Sequence, residues 1–371
     1  MNKKLISLLL SAALAVSMLT VPVFAAEGGE ADAALDETNE VVVTLGDTVT
    51  ASTVEDTDKA AADKTAADKT ETADSAPAAS TEKKQITYVA LGDSIVAGVG
   101  LADVKYAKDS TTLYSVDMSP NFKGYSPDCY VGKVAAMMGL DRDHAINLGL
   151  PALTAPDLAD MVRDGQMPKM NMESGCWYKY PEFQDYIRKA DVVSVQIGSN
   201  DAFVPCIVAL GNATNWKSEA LAASVLAGDL RASGSPAAAL IQGIKDMHLT
   251  RDERNATWNL LTSEMGKICD RIYPQTTAGL ISVVQEIRKL NPDCQILLMG
   301  YTDPVPFVPC WHNYFKKLNK FEKQLAETYD LTYVAIPKAK TDLDVHPTIS
   351  GHEYIAKKIV NSIELPEDSA Q

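Results

Sequence analysis

The stretch TYVALGDSIVAG, residues 87–98, combines a strand pattern with a turn that presents a serine. Its first residues are apolar and β-branched, which is typical of a buried strand. Gly92 and Asp93 interrupt this run, and Ser94 follows directly. A serine just after a strand-to-helix turn is either a helix cap or a nucleophile. The residues around later strand ends help to decide whether Ser94 is a cap or a nucleophile.

Strand and helix patterns alternate along the chain after this first strand. Strand-like runs include HAINLG (144–149), ADVVSVQIG (190–198) and QILLMG (295–300), and helical patterns separate them. We expect Gly139 and Gly165 to end two of these helices. The alternation predicts an α/β fold with a mostly parallel sheet that helices cover on both faces. In such sheets, ligands bind at the carboxyl ends of the strands.

The first 84 residues have a different character. Residues 1–25 have two lysines, an apolar run and a small-residue cleavage site, which predicts a secretory signal peptide; an uncleaved anchor helix is the alternative. Residues 26–84 contain no aromatic residue and include the tandem repeat AADKTAADKT (61–70). This composition cannot bury enough apolar surface to order itself, so it predicts a disordered acidic linker. The linker is either a spacer from the cell surface or a solubilising tail.

The net charge and the cysteine spacing argue against two kinds of binding partner, nucleic acid and zinc. The formal net charge of −15 argues against nucleic acid, which requires clustered Lys and Arg. After removal of a signal peptide we expect no stable membrane insertion and a secreted protein. The cysteines contain no CxxC pair, so a zinc site is not expected, and both disulfides and buried thiols remain open. The six cysteines are Cys129, Cys176, Cys206, Cys269, Cys294 and Cys310.

Residues 85–366 are predicted to form the globular domain, and residues 367–371 a short tail. Two segments of the domain, 101–128 and 202–275, interrupt the alternation of strands and helices. Both follow strand ends, where insertions border the ligand-binding edge of the sheet. They are substrate-shaping loops or a lid, with the helical 202–275 segment as the candidate lid; additional packing is the alternative.

Four short blocks lie at or just beyond predicted strand ends. They are GDS (92–94), NLGLPALTA (147–155), GSND (198–201) and TDLDVHPTISGHEYIA (341–356). Each block alone is weak, because a GDS tripeptide is common and a histidine before a helix is usually a surface residue or a cap. Their order and their strand context together are much more specific.

These blocks resemble those of the GDSL, or SGNH, hydrolases over roughly residues 85–365. The resemblance implies a three-layer α/β/α fold with a flavodoxin-like sheet. It also implies that Ser94 is the nucleophile, Asn200 an oxyanion donor and His346 the base. The chemistry agrees with these residue types, because a serine needs a neighbouring base and a tetrahedral intermediate needs donors for its negative oxygen. The Ser94 N–H at a helix N-terminus is a second expected donor.

The sequence departs from the family pattern at two positions. The glycine whose N–H is the third oxyanion donor in the family corresponds to Ala152, and Gly149 is the fallback. The family's acid stands three residues before the histidine, at a position that Leu343 occupies here. Asp342, Asp344 or a backbone carbonyl then remains to orient His346, and we favour Asp344.

The sequence therefore predicts a secreted serine ester hydrolase that forms an acyl-enzyme on Ser94. We expect no cofactor and no metal. The substrate is a small-molecule, lipid or acylated-glycan ester. An acyltransferase on the same framework and a non-catalytic surface glycan-binding protein are the alternatives. The cluster of Trp177, Tyr178 and Tyr180 is either packing or a sugar-stacking surface.

Overall fold

A computed structural model describes residues 85–104, 122–173, 175–221, 234–304, 308–341 and 346–364. The predicted signal peptide, the linker and the tail lie outside these residues. So do parts of the two predicted insertions.

The sheet has five parallel strands in the order β2-β1-β3-β4-β5. This is the order of a flavodoxin-like sheet, so the predicted fold class is confirmed. The direction of strand addition reverses between β1 and β3, and the carboxyl ends of these two strands are level, with Gly92 opposite Gln196. The strands are β1 (Tyr88–Gly92), β2 (Ala145–Gly149), β3 (Val192–Gln196), β4 (Gln295–Met299) and β5 (Thr332–Val334).

Helices cover both faces of the sheet. The helices are α1 (Ser94–Ala97), α2 (Tyr130–Met138), α3 (Ala155–Asp164), α4 (Phe183–Arg188), α5 (Ser199–Thr214), α6 (Pro236–Asp246), α7 (Arg251–Asn259), α8 (Met265–Leu290), α9 (Pro309–Tyr329) and α10 (Ile349–Val360). Side chains alternate between the faces, so β1 places Val89 and Leu91 in one core cluster and Tyr88 and Ala90 in the other. Each fully buried Leu or Val side chain contributes about 1.5–3 kcal/mol.

The predicted helix ends agree with the structure. Helix α2 ends at Gly139 and α3 at Gly165, and both glycines are left-handed. At the start of α3, Thr154 and Asp157 form a reciprocal capping box. This cap fixes the point at which the chain leaves the segment after β2.

The described parts of residues 202–275 continue into helices that extend beyond this range. Helix α5 begins at Ser199 and runs past residue 202, and α8 begins at Met265 and runs past residue 275, with Pro274 inside it. A single π-helical turn, Leu260–Glu264, joins α7 to α8. Within the described residues, no helix is both long and apolar enough to cross a bilayer.

Candidate active site

The turn after β1 is built around Gly92 and Asp93. A Cβ on Gly92 would lie 2.1 Å from the Gln196 carbonyl oxygen, so only glycine fits between β1 and β3 here. Asp93 then caps α1, and its Oδ1 accepts a hydrogen bond from the Ile95 N–H at 2.9 Å. Ser94 is the first residue of α1 and is 7% exposed. The turn therefore places the serine at the carboxyl edge of the sheet.

His346 lies against this serine. Its Nε2 is 2.9 Å from Ser94 Oγ, although 252 residues separate the two in the chain. The imidazole is buried, and it stands just before α10, whose first turn Thr348 caps. The structure thus brings together the predicted nucleophile and the predicted base at hydrogen-bonding distance. Asp342, Leu343 and Asp344 lie outside the described residues, so the orienting role of Asp344 stays a prediction.

Asn200 reaches the same edge from β3. It is the second residue of α5, and its Nδ2 donates a hydrogen bond to the Leu153 carbonyl oxygen at 2.9 Å. One amide hydrogen remains on Nδ2 after this bond. The Ser94 N–H stays a predicted donor at this edge, and no acceptor within the described ranges receives it.

Ala152 occupies a left-handed conformation with φ of +60°. Its segment is held at both ends, because the Leu150 N–H donates to the Gly92 carbonyl oxygen at 2.9 Å and the Leu153 carbonyl oxygen accepts from Asn200. A left-handed residue is usually glycine, which agrees with the glycine that the family pattern has here. Ala152 therefore adopts the glycine conformation in spite of its Cβ, and its N–H remains a predicted donor.

Gly149, the fallback donor, already uses its N–H. That group donates to Asn147 Oδ1 at 2.9 Å, and Asn147 Nδ2 donates to the Val96 carbonyl oxygen at 2.8 Å. A Cβ on Gly149 would lie 2.3 Å from Ala97 N, so the glycine lets α1 pack directly on β2. Gly149 and Asn147 thus position the helix that carries Ser94, and no sequence pattern indicated this role of Asn147.

Asp93 is the most significant residue of this site whose role no sequence pattern indicated. It is fully buried, and its Oδ2 accepts hydrogen bonds from Ser199 Oγ at 2.7 Å and from the Tyr301 hydroxyl at 3.3 Å. Burial raises the pKa of Asp93, while the hydrogen bonds from Ser199 and Ile95 and the nearby His346 act in the opposite direction. The only signal in the sequence was its position next to Ser94.

Asp201 and His352 are buried residues that connect the elements around the site. Asp201 Oδ2 accepts the Ala155 N–H at 2.9 Å, which ties α5 to the start of α3, and burial raises the pKa of Asp201 to about 7. His352 Nδ1 accepts the Tyr130 N–H at 3.2 Å, and burial lowers the pKa of His352 to about 3, so this imidazole is neutral. Across the described ranges, no three His, Cys, Asp or Glu side chains are arranged to hold a metal ion.

The predicted aromatic cluster divides between core and surface. Tyr178 is buried and its hydroxyl donates to the Pro151 carbonyl oxygen at 2.9 Å, while Tyr180 packs edge-on against Phe122. Trp177 is 57% exposed, and its Nε1–H donates to the Met167 carbonyl oxygen. Packing therefore accounts for the two tyrosines, and Trp177 alone keeps the sugar-stacking interpretation open.

A cavity of about 30 Å³ opens beside Ser94, Asn200 and His346. Most of the side chains that complete its wall are apolar. They include Phe203, Tyr301, Phe315, Ile336, Ala339 and Ile355.

Three solved structures share much of this chain's length. A phospholipase A1 from Streptomyces albidoflavus NA297 is 15% identical, with 76% of this chain and 100% of that chain covered and a TM-score of 0.43. An extracellular lipase from Streptomyces rimosus is 14% identical, with 75% and 100% covered and a TM-score of 0.42. A carbohydrate acetylesterase from Sinorhizobium meliloti is 14% identical, with 75% and 97% covered and a TM-score of 0.39. These likenesses define neither the activity nor the substrate of this chain.

A comparison with curated proteins gives no match. The sequence profile of the GDSL-like Lipase/Acylhydrolase family, by contrast, matches residues 90–354, which run from within β1 to within α10 and include Ser94, Asn200 and His346. By this match over more than half of its length, the chain belongs to the GDSL-like Lipase/Acylhydrolase family.

Proposed function

We propose that this protein is an exported serine esterase that hydrolyses carboxylic esters of short acyl groups through an acyl-enzyme on Ser94. The observation that carries the proposal is the distance of 2.9 Å between Ser94 Oγ and His346 Nε2 at the carboxyl edge of the sheet. Membership in a family of lipases and acylhydrolases supports the reaction class. The signal-peptide pattern of residues 1–25 supports export.

In the proposed reaction, Ser94 Oγ attacks the ester carbonyl carbon while His346 Nε2 takes the hydroxyl proton. The carbonyl oxygen becomes negative in the tetrahedral intermediate. The Ser94 N–H, the Ala152 N–H and the remaining hydrogen of Asn200 Nδ2 are the donors proposed to stabilise it. His346 then returns the proton to the leaving alcohol, and the acyl group stays on Ser94. A water molecule repeats the sequence in the second half-reaction and releases the acid.

The helix at the nucleophile adds to this stabilisation only modestly. Helix α1 has four residues, so its dipole is small, and the Ser94 N–H acts chiefly as a hydrogen-bond donor. Losing one oxyanion donor typically costs about 3 kcal/mol of barrier. The Asn200 amide is neutral at every pH of interest, so its contribution does not vary with pH.

The cavity beside Ser94 supports a short acyl group. Its mostly apolar wall suits a small apolar group, such as a methyl or ethyl group, better than a charged one. We therefore favour acetyl esters, with either a sugar or another alcohol as the leaving group.

Substitution of the nucleophile tests the reaction. Ser94→Ala should lower kcat for 4-nitrophenyl acetate by about a million-fold while circular dichroism stays unchanged. A fluorophosphonate probe should label the unmodified chain at Ser94 and leave the variant unlabelled. As a matched control, Ser194→Ala changes a buried serine within β3 and should keep probe labelling. Labelling of the Ser94→Ala variant, or its full turnover, would remove Ser94 from the mechanism.

A series of acyl chain lengths tests the substrate class separately. We expect kcat/KM for the acetate ester to exceed that for the octanoate ester by at least about tenfold, because a methylene group in a hydrophobic pocket changes the barrier by about 1–3 kcal/mol. Ile336→Ala, which enlarges the cavity wall, should shift the preference towards butyrate. A preference for octanoate in the unmodified protein would reject the short-acyl proposal and leave the serine mechanism intact.

A further inference from the structure

Three cysteines that are distant in the sequence meet outside the catalytic site. Cys206 lies in α5, Cys269 in α8 and Cys310 in the first turn of α9. Helix α8 packs against both of the other helices. Cys269 and Cys310 line the same cavity between α8 and α9. The Cys269 thiol interacts with the thiols of both Cys206 and Cys310, so it is the common neighbour of the other two.

The other three cysteines have different neighbours. Cys129 Sγ accepts hydrogen bonds from the Gly132 N–H and from Asn147 Nδ2. Cys294 Sγ donates to the Asn291 carbonyl oxygen, and Cys176 Sγ to the Pro151 carbonyl oxygen. We call the group of Cys206, Cys269 and Cys310 the thiol cluster, because the Cys269 thiol neighbours the other two thiols.

Solvent reaches the thiol cluster from one side. Cys206 is fully buried and Cys269 nearly so, but Cys310 is partly exposed. Cys269 and Cys310 also line a cavity of about 320 Å³ between α8 and α9, whose other walls include Lys316 and Lys320. A small disulfide in solution can therefore reach Cys310 first, and Cys269 lies directly behind it.

We propose that Cys269 and Cys310 form a disulfide that links α8 to the start of α9, and that Cys206 is the alternative partner of Cys269. To form this bond, the two neighbouring sulfur atoms must approach to the S–S bond length of about 2 Å. A shared metal ion is not the favoured occupant, because no three ligands in the described part of the chain are arranged to hold one.

The oxidant in the proposed step is a small disulfide such as glutathione disulfide. The Cys310 thiolate attacks one sulfur of glutathione disulfide, its S–S bond breaks, and one glutathione thiolate leaves and takes up a proton. The Cys269 thiolate then attacks the Cys310 sulfur of the mixed disulfide and displaces the second glutathione. Two cysteine thiols are oxidised by two electrons, and one glutathione disulfide is reduced to two glutathione molecules.

Formation of the bridge should be slow at neutral pH. The neighbouring thiol of Cys206 and burial raise the pKa of Cys269, and the neighbouring Cys269 and burial raise the pKa of Cys310. Only the thiolate attacks a disulfide. We therefore expect the rate to rise by about tenfold per pH unit between pH 6.5 and 8.5.

The bridge would stiffen one wall of the catalytic cavity. Helix α9 carries Trp311 and Phe315, whose rings contact the Phe203 ring at centroid distances of 4.9 and 5.4 Å. Phe203 and Phe315 both line the cavity beside Ser94. Closing the chain between residues 269 and 310 removes conformations from the unfolded state, so the melting temperature should rise by about 5 °C or more.

Peptide mapping tests the proposal on the full chain. The folded protein is incubated with glutathione disulfide at pH 8.5, quenched with acid, alkylated with N-ethylmaleimide in denaturant and digested for mass spectrometry. We expect a cross-linked peptide pair that contains Cys269 and Cys310. In Cys310→Ser the cross-link should move to Cys206 and Cys269, and in Cys206→Ser it should stay at Cys269 and Cys310.

Cys294→Ser is the matched control, since it removes a buried thiol outside the cluster and should leave the cross-link and the melting shift unchanged. Two outcomes would overturn the proposal. One is full alkylation of Cys269 while Cys310 carries glutathione. The other is a cross-link that includes Cys129, Cys176 or Cys294 in place of Cys269. If Cys310→Ser does not fold, Cys206→Ser still decides the matter, because the pair must persist in it.

Discussion

Two buried carboxyl groups, Asp93 beside the nucleophile and Glu322 in the middle of α9, have very different surroundings. Both side chains are fully buried, and burial raises the pKa of each. Asp93 accepts hydrogen bonds from Ile95, Ser199 and Tyr301. Neither oxygen of Glu322 has a hydrogen-bond partner among the described residues.

Asp93 is a carboxyl group that organises a site, whereas Glu322 only lowers stability. The donors around Asp93 come from α1, from α5 and from the segment after β4, so the carboxylate joins three elements at the edge where Ser94 and His346 meet. Glu322 has tyrosines nearby, including Tyr301 and Tyr314, but no hydrogen bond offsets its desolvation.

The largest effect in this comparison is expected at the partnered carboxyl group. Asp93→Asn should keep the cap on Ile95, because asparagine caps helices well. It removes the ionisable carboxyl group near His346, and an NH₂ group replaces the oxygen that accepts from Ser199 and Tyr301. We expect kcat/KM to fall by about 10- to 100-fold, equivalent to about 1.4–2.7 kcal/mol of barrier, in a 4-nitrophenyl acetate assay.

Asp191→Asn is the matched control for this variant. Asp191 also accepts a backbone N–H from the β1 segment, that of Thr87, but it is exposed and lies at the opposite end of the strand. The activity of Asp191→Asn should stay within about twofold of that of the unmodified protein, as for most surface substitutions. Equal activity in both variants would show that the charge of Asp93 has no part in the reaction.

The unpartnered carboxyl group should affect stability and leave activity unchanged. Because the pKa of folded Glu322 is raised above its ordinary value, the folded chain holds this proton at pH values where the unfolded chain has lost it. Stability is therefore greatest below the ordinary glutamate pKa and decreases as the pH rises towards the raised one. Glu322→Gln stays neutral, so at pH 8 it should be more stable by about 1–3 kcal/mol.

Urea unfolding at pH 5 and pH 8, followed by tryptophan fluorescence, measures this difference. The variant should lose less stability than the unmodified protein between the two pH values. It should keep a residual slope from Asp201, whose pKa of about 7 is also raised by burial. Glu327→Gln, on the exposed side of the same helix, should behave like the unmodified protein. An equal slope in Glu322→Gln would mean that Glu322 does not titrate differently on folding.

The smallest effect concerns the strained residue of the segment after β2. Ala152→Gly removes the Cβ from a left-handed residue, which relieves about 1–2 kcal/mol of backbone strain in the folded state. It also gives the unfolded chain more conformational freedom, which lowers stability by about 0.4–1 kcal/mol. We expect a net gain of up to about 1 kcal/mol by urea unfolding and an activity within about threefold. Ala159→Gly, in the middle of α3, should instead lose about 1 kcal/mol. A loss of stability in both variants would argue against strain at Ala152.

Local signals made most of the fold predictable. Alternating strand and helix patterns predicted the parallel sheet, and Gly139 and Gly165 predicted two helix ends, because these signals depend on neighbouring residues alone. The beginning of α8 was harder to predict. Pro274 normally ends a helix, but here the helix continues through it and packs against α3 and α9. Tertiary packing overrode a local preference at that point.

The site was predictable where a short block carries the chemistry and not where distant residues combine. Ser94, Asn200 and His346 each lie in a recognisable block, and the structure brings Ser94 and His346 into contact. The environment of Asp93 depends on Ser199 and Tyr301, which are 106 and 208 residues away, so no local pattern indicates it. The residue that orients His346 stays a prediction, since Asp342 and Asp344 lie outside the described residues.

The hydrogen bond from Asn200 to Leu153 fixes the orientation of the Asn200 amide group. A carbonyl oxygen can only accept, so it determines which end of the Asn200 amide turns towards Leu153, and a 180° flip of the amide would set two oxygens against each other. The remaining N–H, which is the proposed oxyanion donor, is therefore already oriented before any ester binds. A site that is set in advance spends no reorganisation energy when charge develops, and here a single backbone carbonyl provides that orientation.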